Sequence, residues 1–273
     1  MMSSLLEVEN LRKVYQFREG LFKRREVEAV KPVSFSLNAG ETMALVGENG
    51  SGKSTLAKML AGVEKPTSGR ILVNEEELHH GDYLTRCKLI RMIFQDANTS
   101  LNPRVQVGRI LEGPLKRNTE MTPHARENRV KQILRRVGLL PEHAYFYPQM
   151  LATGQKQRVS LARALILQPS IIVADEALNG LDMSMRAQMI NLLLELQDEM
   201  GLAYVYVSQH MGIIKHVTDK VLVMKQGEVV EQGATEDIFA NPQHALTQKL
   251  IDSHFNAQTL DRHARTGAGA QRQ

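Results

Sequence analysis

The sequence has almost no cysteine, no long apolar run and no recognisable leader, and each absence excludes a class of protein. Cys87 is the single cysteine among the 273 residues, so an internal disulfide and a cysteine-built metal cluster are both excluded. No apolar stretch approaches the roughly 20 residues that a membrane-spanning helix needs. The first residues, Met1 to Glu7, lack the charged start and apolar core of a secretory signal. We therefore expect a cytoplasmic protein that reaches a membrane only through a partner.

The charge balance is mixed rather than strongly basic. Lys and Arg together number 34 and Asp and Glu 30, which gives a formal net charge of +4. A nucleic-acid partner would favour a clustered basic surface instead. The one dense basic run, Lys23-Arg24-Arg25, is interpreted as a solvated turn, with contact to lipid headgroups or a membrane partner as the alternative. We therefore predict no nucleic acid among the partners.

The order of strand-like and helical segments indicates an α/β fold with a mostly parallel core sheet and an inserted helical lobe. Alternating or wholly apolar runs are typical of strands, whereas residues 103–150 carry mainly helical patterns. One helix is predicted in that interval, with Thr122 as its N-cap, Pro123 at its first position and Gly138 just past its end. The segments predicted as strands are 6–11, 33–37, 42–46, 91–94, 171–174, 204–207 and 220–224.

A glycine-rich stretch directly after an apolar strand has the pattern of a phosphate-binding loop. Residues 47–54 fit Gly-x-x-x-x-Gly-Lys-Ser/Thr and lie between a strand and a helix, as the mechanism requires. In such a loop, backbone N–H groups point at phosphate oxygens, Lys53 reaches the β- and γ-phosphates, and Ser54 joins the shell of Mg²⁺. Chance would produce the pattern in roughly one chain per hundred of this size. The residues assigned to the nucleotide here are Gly47, Glu48, Asn49, Gly50, Ser51, Gly52, Lys53, Ser54 and Thr55.

Two neighbouring carboxylates end a second apolar strand. Residues 171–174 lead into Asp175 and Glu176, and this edge of a parallel sheet is where such sheets bind ligands. Asp175 is assigned to Mg²⁺ through its water shell. Glu176, expected on the opposite side of the strand, is assigned to polarising the water that attacks the γ-phosphate. Buried strands often end in acids, so the pair alone is weak, but together with the phosphate loop it indicates a nucleoside triphosphatase.

With these motifs in order, the sequence resembles the nucleotide-binding domain of ABC transporters over nearly its full length. The resemblance implies a P-loop NTPase fold of ABC type with an additional antiparallel β subdomain, and ATP and Mg²⁺ as cofactors. It implies that Tyr15 stacks on adenine, that Gln95 contacts Mg²⁺ and senses the membrane domains, and that His210 contacts the γ-phosphate. Glu176 and His210 are thus the predicted catalytic residues. The expected domain is 1–256, with the helical lobe at about 96–165 and a disordered tail at 257–273.

The signature segment (residues 151–158) resembles the family's Leu-Ser-Gly-Gly-Gln motif but departs from it at two positions. Ala152 replaces the serine and Thr153 replaces a glycine, followed by Gly154 and Gln155. The resemblance implies that Gly154 and Gln155 face ATP held by a second ATPase subunit. Losing one donor to a charged acceptor costs about 1.5–3 kcal/mol. We therefore expect an asymmetric heterodimer, with an intact site on this chain's own phosphate loop and a weaker site completed in trans.

Further segments resemble the oligopeptide and dipeptide import branch of the family. They are residues 94–96, 99–104, 147–148 and 241–247. Residues 48–62, together with the altered signature, resemble the Sap-type members of this branch, which are associated with antimicrobial-peptide handling and linked to putrescine export. The resemblance implies two integral membrane permease subunits, an indirect periplasmic substrate-binding protein, and a peripheral location on the cytoplasmic face of the bacterial inner membrane. We therefore predict an ATPase that powers peptide transport. The open alternatives are a putrescine or polyamine exporter, a mainly regulatory nucleotide-binding subunit, and a soluble ABC ATPase of DNA repair or translation.

Overall fold

The computed structural model describes residues 4–19, 23–94 and 97–253, which form two β-sheets and a set of helices. The strands are β1 (Leu6–Glu19), β2 (Lys23–Leu37), β3 (Thr42–Gly47), β4 (Ser68–Val73), β5 (Glu76–Glu77), β6 (Ile90–Ile93), β7 (Ile171–Asp175), β8 (Ala203–Val207), β9 (Lys220–Lys225) and β10 (Glu228–Ala234). The helices are α1 (Lys53–Leu60), α2 (Tyr83–Leu89), α3 (Ala97–Ser100), α4 (Val107–Asn118), α5 (Pro123–Arg136), α6 (Thr153–Leu165), α7 (Met183–Met200), α8 (Met211–Val217) and α9 (Thr235–Ala240), with short 3-10 turns at Pro141–Tyr145 and Pro148–Met150. Within these ranges, no helix combines the length and the apolarity needed to span a membrane.

The six-stranded sheet forms the core of the molecule. Its strand order is β10-β9-β3-β8-β7-β6, in which β6, β7, β8, β3 and β9 run parallel and β10 pairs antiparallel with β9. Every residue of β3, β7 and β8 is buried, which explains why these strands are nearly unbroken apolar runs. Parallel strands place their carboxyl ends at one edge of the sheet, so the loops after β3, β7 and β8 lie together there. The predicted mostly parallel α/β sheet is confirmed.

The second sheet is antiparallel, with strand order β2-β1-β4-β5. Its β1–β2 hairpin is paired from Leu6 opposite Leu37 to Glu19 opposite Lys23. The run Lys23-Arg24-Arg25 therefore belongs to β2, and its interpretation as a turn is wrong. A ladder of backbone hydrogen bonds extends an antiparallel pair without any need for apolar side chains, so the polar composition of this run did not end the strand.

A large apolar cluster joins α4, α5, α6 and α7 to one face of the core sheet. The predicted limits of α5 are confirmed, since the Thr122 hydroxyl accepts the N–H of Ala125 at 3.3 Å and Gly138 follows the helix with a left-handed φ of 72°. The domain limits, including the lobe at about 96–165, stay predictions. The tail at 257–273 lies outside the described residues.

A second apolar cluster joins the two sheets through α1. Leu56, Met59 and Leu60 of α1 are fully buried against residues of both sheets. Burying side chains of this size contributes roughly 1.5–3 kcal/mol each. Because β3 is buried in the core sheet and α1 is packed against both sheets, the loop that joins them, residues 48–52, is held at both ends.

Candidate active site

Loops from several strands meet at the carboxyl edge of the core sheet and border a cavity of about 430 Å³. It is here called the nucleotide cavity, because most of the predicted phosphate loop lines it. It lies between the loop after β3, the residue after β7, the turn between β9 and β10, and the middle of β2. The residues that line it are Val27, Glu28, Ala29, Asn49, Gly50, Ser51, Gly52, Lys53, Ser54, Thr55, Glu176, Gln226 and Gly227. The structure thus brings most of the predicted phosphate loop together with one of the two predicted carboxylates.

The phosphate loop approaches its neighbours more closely than a side chain would allow. A Cβ added at Gly47 would lie 2.1 Å from a backbone carbonyl oxygen of β9, and one added at Gly52 would lie 2.4 Å from the carbonyl oxygen of Ala29. The carbonyl of Ser51 accepts the N–H of Gly227 at 2.9 Å. The glycines therefore let the loop pack against β2 and β9, which fixes its backbone.

Lys53 is 5% exposed, and its ammonium group lies at the centre of the loop. It donates to the carbonyl oxygens of Gly47 and Glu48 at 2.9 and 2.8 Å and to the hydroxyl of Ser51 at 3.2 Å. Burial lowers the pKa of Lys53, and the nearby carboxylates of Glu176 and Asp175 partly oppose this by favouring the charged form. A buried cation whose three hydrogen bonds here go to neutral oxygens is suited to receive the charged oxygens of a phosphate.

Ser54 and Asp175 form a pair of oxygen donors. The Ser54 hydroxyl donates to Asp175 Oδ1 at 3.0 Å. Asp175 is 8% exposed, and burial raises the pKa of its carboxyl by more than the hydrogen bond from Ser54 lowers it. A hydroxyl and a carboxylate oxygen are the hard ligands that Mg²⁺ prefers, so the residues present fit that ion.

Glu176 turns away from the strand that precedes it. We expected it on the opposite face of an extended strand, but β7 ends at Asp175 and Glu176 has a left-handed φ of 48°, a conformation that costs about 1–3 kcal/mol and occurs at functional sites. Its two carboxylate oxygens accept hydrogen bonds from Asn179 Nδ2 at 3.0 Å and from Gln209 Nε2 at 3.2 Å. Gln209 also donates to Asn49 Oδ1 at 2.6 Å. The carboxylate is thus oriented beside the phosphate loop.

His210 and Tyr15 lie near the nucleotide cavity without lining it. His210 follows β8 at the same sheet edge and occupies the N-cap position of α8, and its backbone N–H donates to the Ser208 hydroxyl at 3.1 Å. Tyr15 lies in β1 opposite Val27, which does line the cavity. The Lys13 ammonium lies 4.7 Å from the centre of the Tyr15 ring.

The signature residues Gly154 and Gln155 are not brought to this chain's own nucleotide cavity. They lie at the start of α6, where Gln155 Oε1 accepts the N–H of Ala152 at 3.0 Å. A Cβ at Gly154 would lie 2.9 Å from the sulfur of Met185, at the start of α7. Gln95 lies outside the described residues.

Several contacts of the site were missed by the sequence analysis. Asn179 and Gln209 orient Glu176, and their positions beside Glu176 and His210 were the only signal for them. Lys249 forms an ion pair with Glu48 at 2.9 Å, although 201 residues separate the two in the chain. No local pattern predicts such a contact, because it depends on the path of the chain after β10.

Sequence comparisons agree with this geometry. The profile of the family "ABC transporter" matches residues 30–179. The chain is 58% identical to the "Putrescine export system ATP-binding protein SapF" of Escherichia coli over 255 residues, covering 93% of this chain and 95% of that protein. It is equally identical, with the same coverage, to the "Peptide transport system ATP-binding protein SapF" of Salmonella typhimurium. It is 43% identical to the "Dipeptide transport ATP-binding protein DppF" of Haemophilus influenzae, covering 91% of this chain and 77% of that protein.

Solved structures share the fold. A dimeric post-hydrolysis state of the ATP-binding cassette MJ0796 bound to ADP and Pi has a TM-score of 0.74 at 28% identity, covering 84% of this chain and 98% of that one. The cbiO1 subunit from Clostridium perfringens, part of an ABC transporter complex, has a TM-score of 0.74 at 29% identity, covering 97% and 98%. The predicted P-loop fold with an added antiparallel sheet is confirmed.

Proposed function

Because this chain belongs to the ABC transporter family and carries its ATPase cassette, we propose that it powers a peptide transporter of the bacterial inner membrane. The observation that carries the proposal is the convergence of four side chains. Lys53, Ser54 and Glu176 line the nucleotide cavity, and Asp175 is bonded to Ser54.

In the proposed mechanism, the loop N–H groups and Lys53 bind the β- and γ-phosphates of ATP. Ser54 and Asp175 would hold Mg²⁺, and the ion would supply neutralisation of the charge on those phosphates. The Glu176 carboxylate accepts a proton from the water that attacks the γ-phosphorus, and the bond to the leaving ADP oxygen breaks. The roles of Tyr15 at adenine, Gln95 at Mg²⁺ and His210 at the γ-phosphate are part of the same proposal.

A second ATPase subunit completes each nucleotide site in this account. The start of α6 does not line this chain's own nucleotide cavity, so its N–H groups are available to a nucleotide on another subunit. Ala152 has no hydroxyl to donate there. We therefore propose a heterodimer in which the site on this chain's phosphate loop is the stronger one.

A groove of about 790 Å³, bordered by the residues after α1 and by α2, β6, α3 and α6, is here called the lobe groove and is the proposed contact with a permease subunit. Val63, Tyr83 and Phe94 line it and are 53%, 62% and 38% exposed. Exposed apolar patches of this kind mark interaction sites. Docking of a cytoplasmic helix of one permease subunit in this groove, and of the other permease subunit on the second ATPase subunit, would hold the ATPase at the cytoplasmic face of the membrane. The permease subunits would couple it, indirectly, to a periplasmic substrate-binding protein.

Peptide is the proposed cargo because two of the three relatives above carry peptide transport in their names. Putrescine is the second candidate, on the name of the Escherichia coli relative. ATP turnover of the complete transporter in lipid vesicles distinguishes them. ATP turnover that rises when peptide and the binding protein are added supports peptide transport. ATP turnover that requires putrescine on the membrane side that carries the ATPase supports putrescine export.

The nucleotide site itself is tested by Lys53→Met in the full-length chain. Removing the ammonium deletes a charge-assisted contact to the phosphates, so we expect ATP binding weaker by roughly 10- to 150-fold. Lys65→Met, which changes an exposed lysine, is the matched control and should bind ATP normally. Equal ATP affinity of the Lys53 variant and the control would overturn the assignment.

A further inference from the structure

His143 lies beside the start of α6 and contacts the signature segment. Its ring Nε2 is 3.3 Å from Gln155 Nε2, and its ring Nδ1 is 3.0 Å from the carbonyl oxygen of Leu140. The other end of the Gln155 amide, Oε1, accepts the N–H of Ala152 at 3.0 Å. The imidazole packs edge-on against Phe146, with ring centres 5.1 Å apart. A chain of polar contacts therefore runs from Leu140 to Ala152, the N-cap residue of α6.

A backbone N–H can only donate, so the Ala152 amide fixes which end of the Gln155 side chain is oxygen. The two neutral tautomers of His143 then divide the remaining contacts differently. With the ring proton on Nδ1, that N–H donates to the carbonyl of Leu140, and the unprotonated Nε2 accepts from the NH₂ group of Gln155. With the proton on Nε2, Nδ1 accepts the N–H of Leu140 at 3.0 Å, and Gln155 has no acceptor on the ring. Only the first tautomer links Leu140, His143 and Gln155 in one run of hydrogen bonds to Ala152.

The start of α6 depends on this arrangement because its cap is incomplete. In a capping box, an N-cap hydroxyl and the side chain three residues on each accept the other's backbone N–H. Ala152 occupies the N-cap position and has no side-chain acceptor, so only the half made by Gln155 is present. This half of the box lasts only while Gln155 Oε1 stays on the Ala152 N–H, so a hydrogen bond that holds the NH₂ end of Gln155 in place also holds the start of α6.

We propose that His143 carries its ring proton on Nδ1 and is a positioning residue which, through Gln155, orients the start of α6. The inference rests on the proposed function, in which this start faces ATP on the second ATPase subunit. In this proposal His143 acts on Gln155 and not on the nucleotide. Its effect on turnover is exerted by keeping the Gln155 oxygen on the Ala152 N–H.

Two conservative substitutions separate the two ring nitrogens. His143→Gln places an amide group near the position of Nε2 and keeps a partner for Gln155. His143→Asn places one near Nδ1 and keeps only the contact with Leu140. In the assembled complex, we expect His143→Asn to lower kcat for ATP by roughly two- to tenfold, and His143→Gln to stay within about twofold of wild type. A His143→Asn variant as active as His143→Gln would overturn the proposal.

A double substitution and a structural readout complete the test. The double variant His143→Asn, Gln155→Ala should have the same kcat as Gln155→Ala alone, because both substitutions remove the same contact. A kcat reduced by the product of the two single losses would contradict this. In the full chain without its partners, amide exchange at Ala152 should be faster in His143→Asn than in His143→Gln, and equal exchange rates would overturn the positioning role. Because that readout needs no turnover, it stands apart from the Lys53→Met test, whose failure would overturn the proposed function instead.

Discussion

A methyl group added at Gly52 tests how tightly the phosphate loop is built into the fold. Gly52 has a φ of 103°, and its added Cβ would lie 2.4 Å from the carbonyl oxygen of Ala29. Gly50 has a φ of 75°, but a Cβ there would meet nothing within 4 Å. Both substitutions to alanine force a side chain into left-handed backbone, which costs about 1–2 kcal/mol. Only Gly52→Ala also overpacks its surroundings, which costs about a further 1–3 kcal/mol.

We therefore expect Gly50→Ala to lower the free energy of unfolding by about 1–2 kcal/mol and Gly52→Ala by about 2–5 kcal/mol. The clash cannot relax cheaply, because the obstructing oxygen belongs to β2, and Lys31 in that strand donates its N–H to the Gly227 carbonyl at 2.7 Å. Urea unfolding of the full-length variants, monitored by circular dichroism, measures the difference in the free energy of unfolding, provided that its dependence on urea concentration is the same in all variants. Equal losses for the two variants would refute the reasoning, since they would show that the contact with Ala29 does not constrain the loop.

Three further predictions concern single side chains. Burial raises the pKa of Asp175, so between the ordinary and the raised pKa the folded chain binds more protons than the unfolded chain and loses stability as the pH rises. Over that interval Asp175→Asn should become increasingly more stable than wild type. A difference in the free energy of unfolding in urea that does not change with pH would contradict this. Ala152→Ser should stabilise the chain by about 1 kcal/mol, because the N-cap hydroxyl can accept the N–H of Gln155; an unchanged unfolding midpoint would count against it. Glu231 accepts hydrogen bonds from the backbone of residues 243 and 244 and from the Thr247 hydroxyl, so Glu231→Ala should speed amide exchange in residues 243–247, and wild-type exchange rates there would contradict the contact.

The phosphate loop was predictable because its chemistry is built from consecutive residues. Gly47 to Ser54 carry the spacing, and the apolar strand before them and the helix after them are local patterns as well. The parallel sheet was predictable for a related reason, since fully buried strands such as β3 and β7 must be apolar throughout. Local sequence therefore determined both the elements and the position of the loop between them.

The orientation of Glu176 was not predictable from its own neighbourhood. Its N–H is held by the carbonyl of Val207 at 3.1 Å and its carboxylate by Gln209, both contributed by the strand and loop of β8. The left-handed backbone at Glu176 results from these contacts rather than from strand alternation. The ion pair between Lys249 and Glu48 is a similar case. Contacts between distant segments depend on the assembled fold, and a residue pattern carries no record of them.

Glu176→Gln in the assembled transporter tests the central claim most directly, namely that the site on this chain's own phosphate loop hydrolyses ATP. The amide keeps the size of the side chain but cannot accept the proton of the attacking water. We expect ATP turnover to fall by roughly 10²- to 10⁴-fold, while ATP still binds to the chain. Near-normal turnover of the variant would contradict the account, because hydrolysis would then belong to the second ATPase subunit and this chain would act chiefly as a nucleotide-binding regulator.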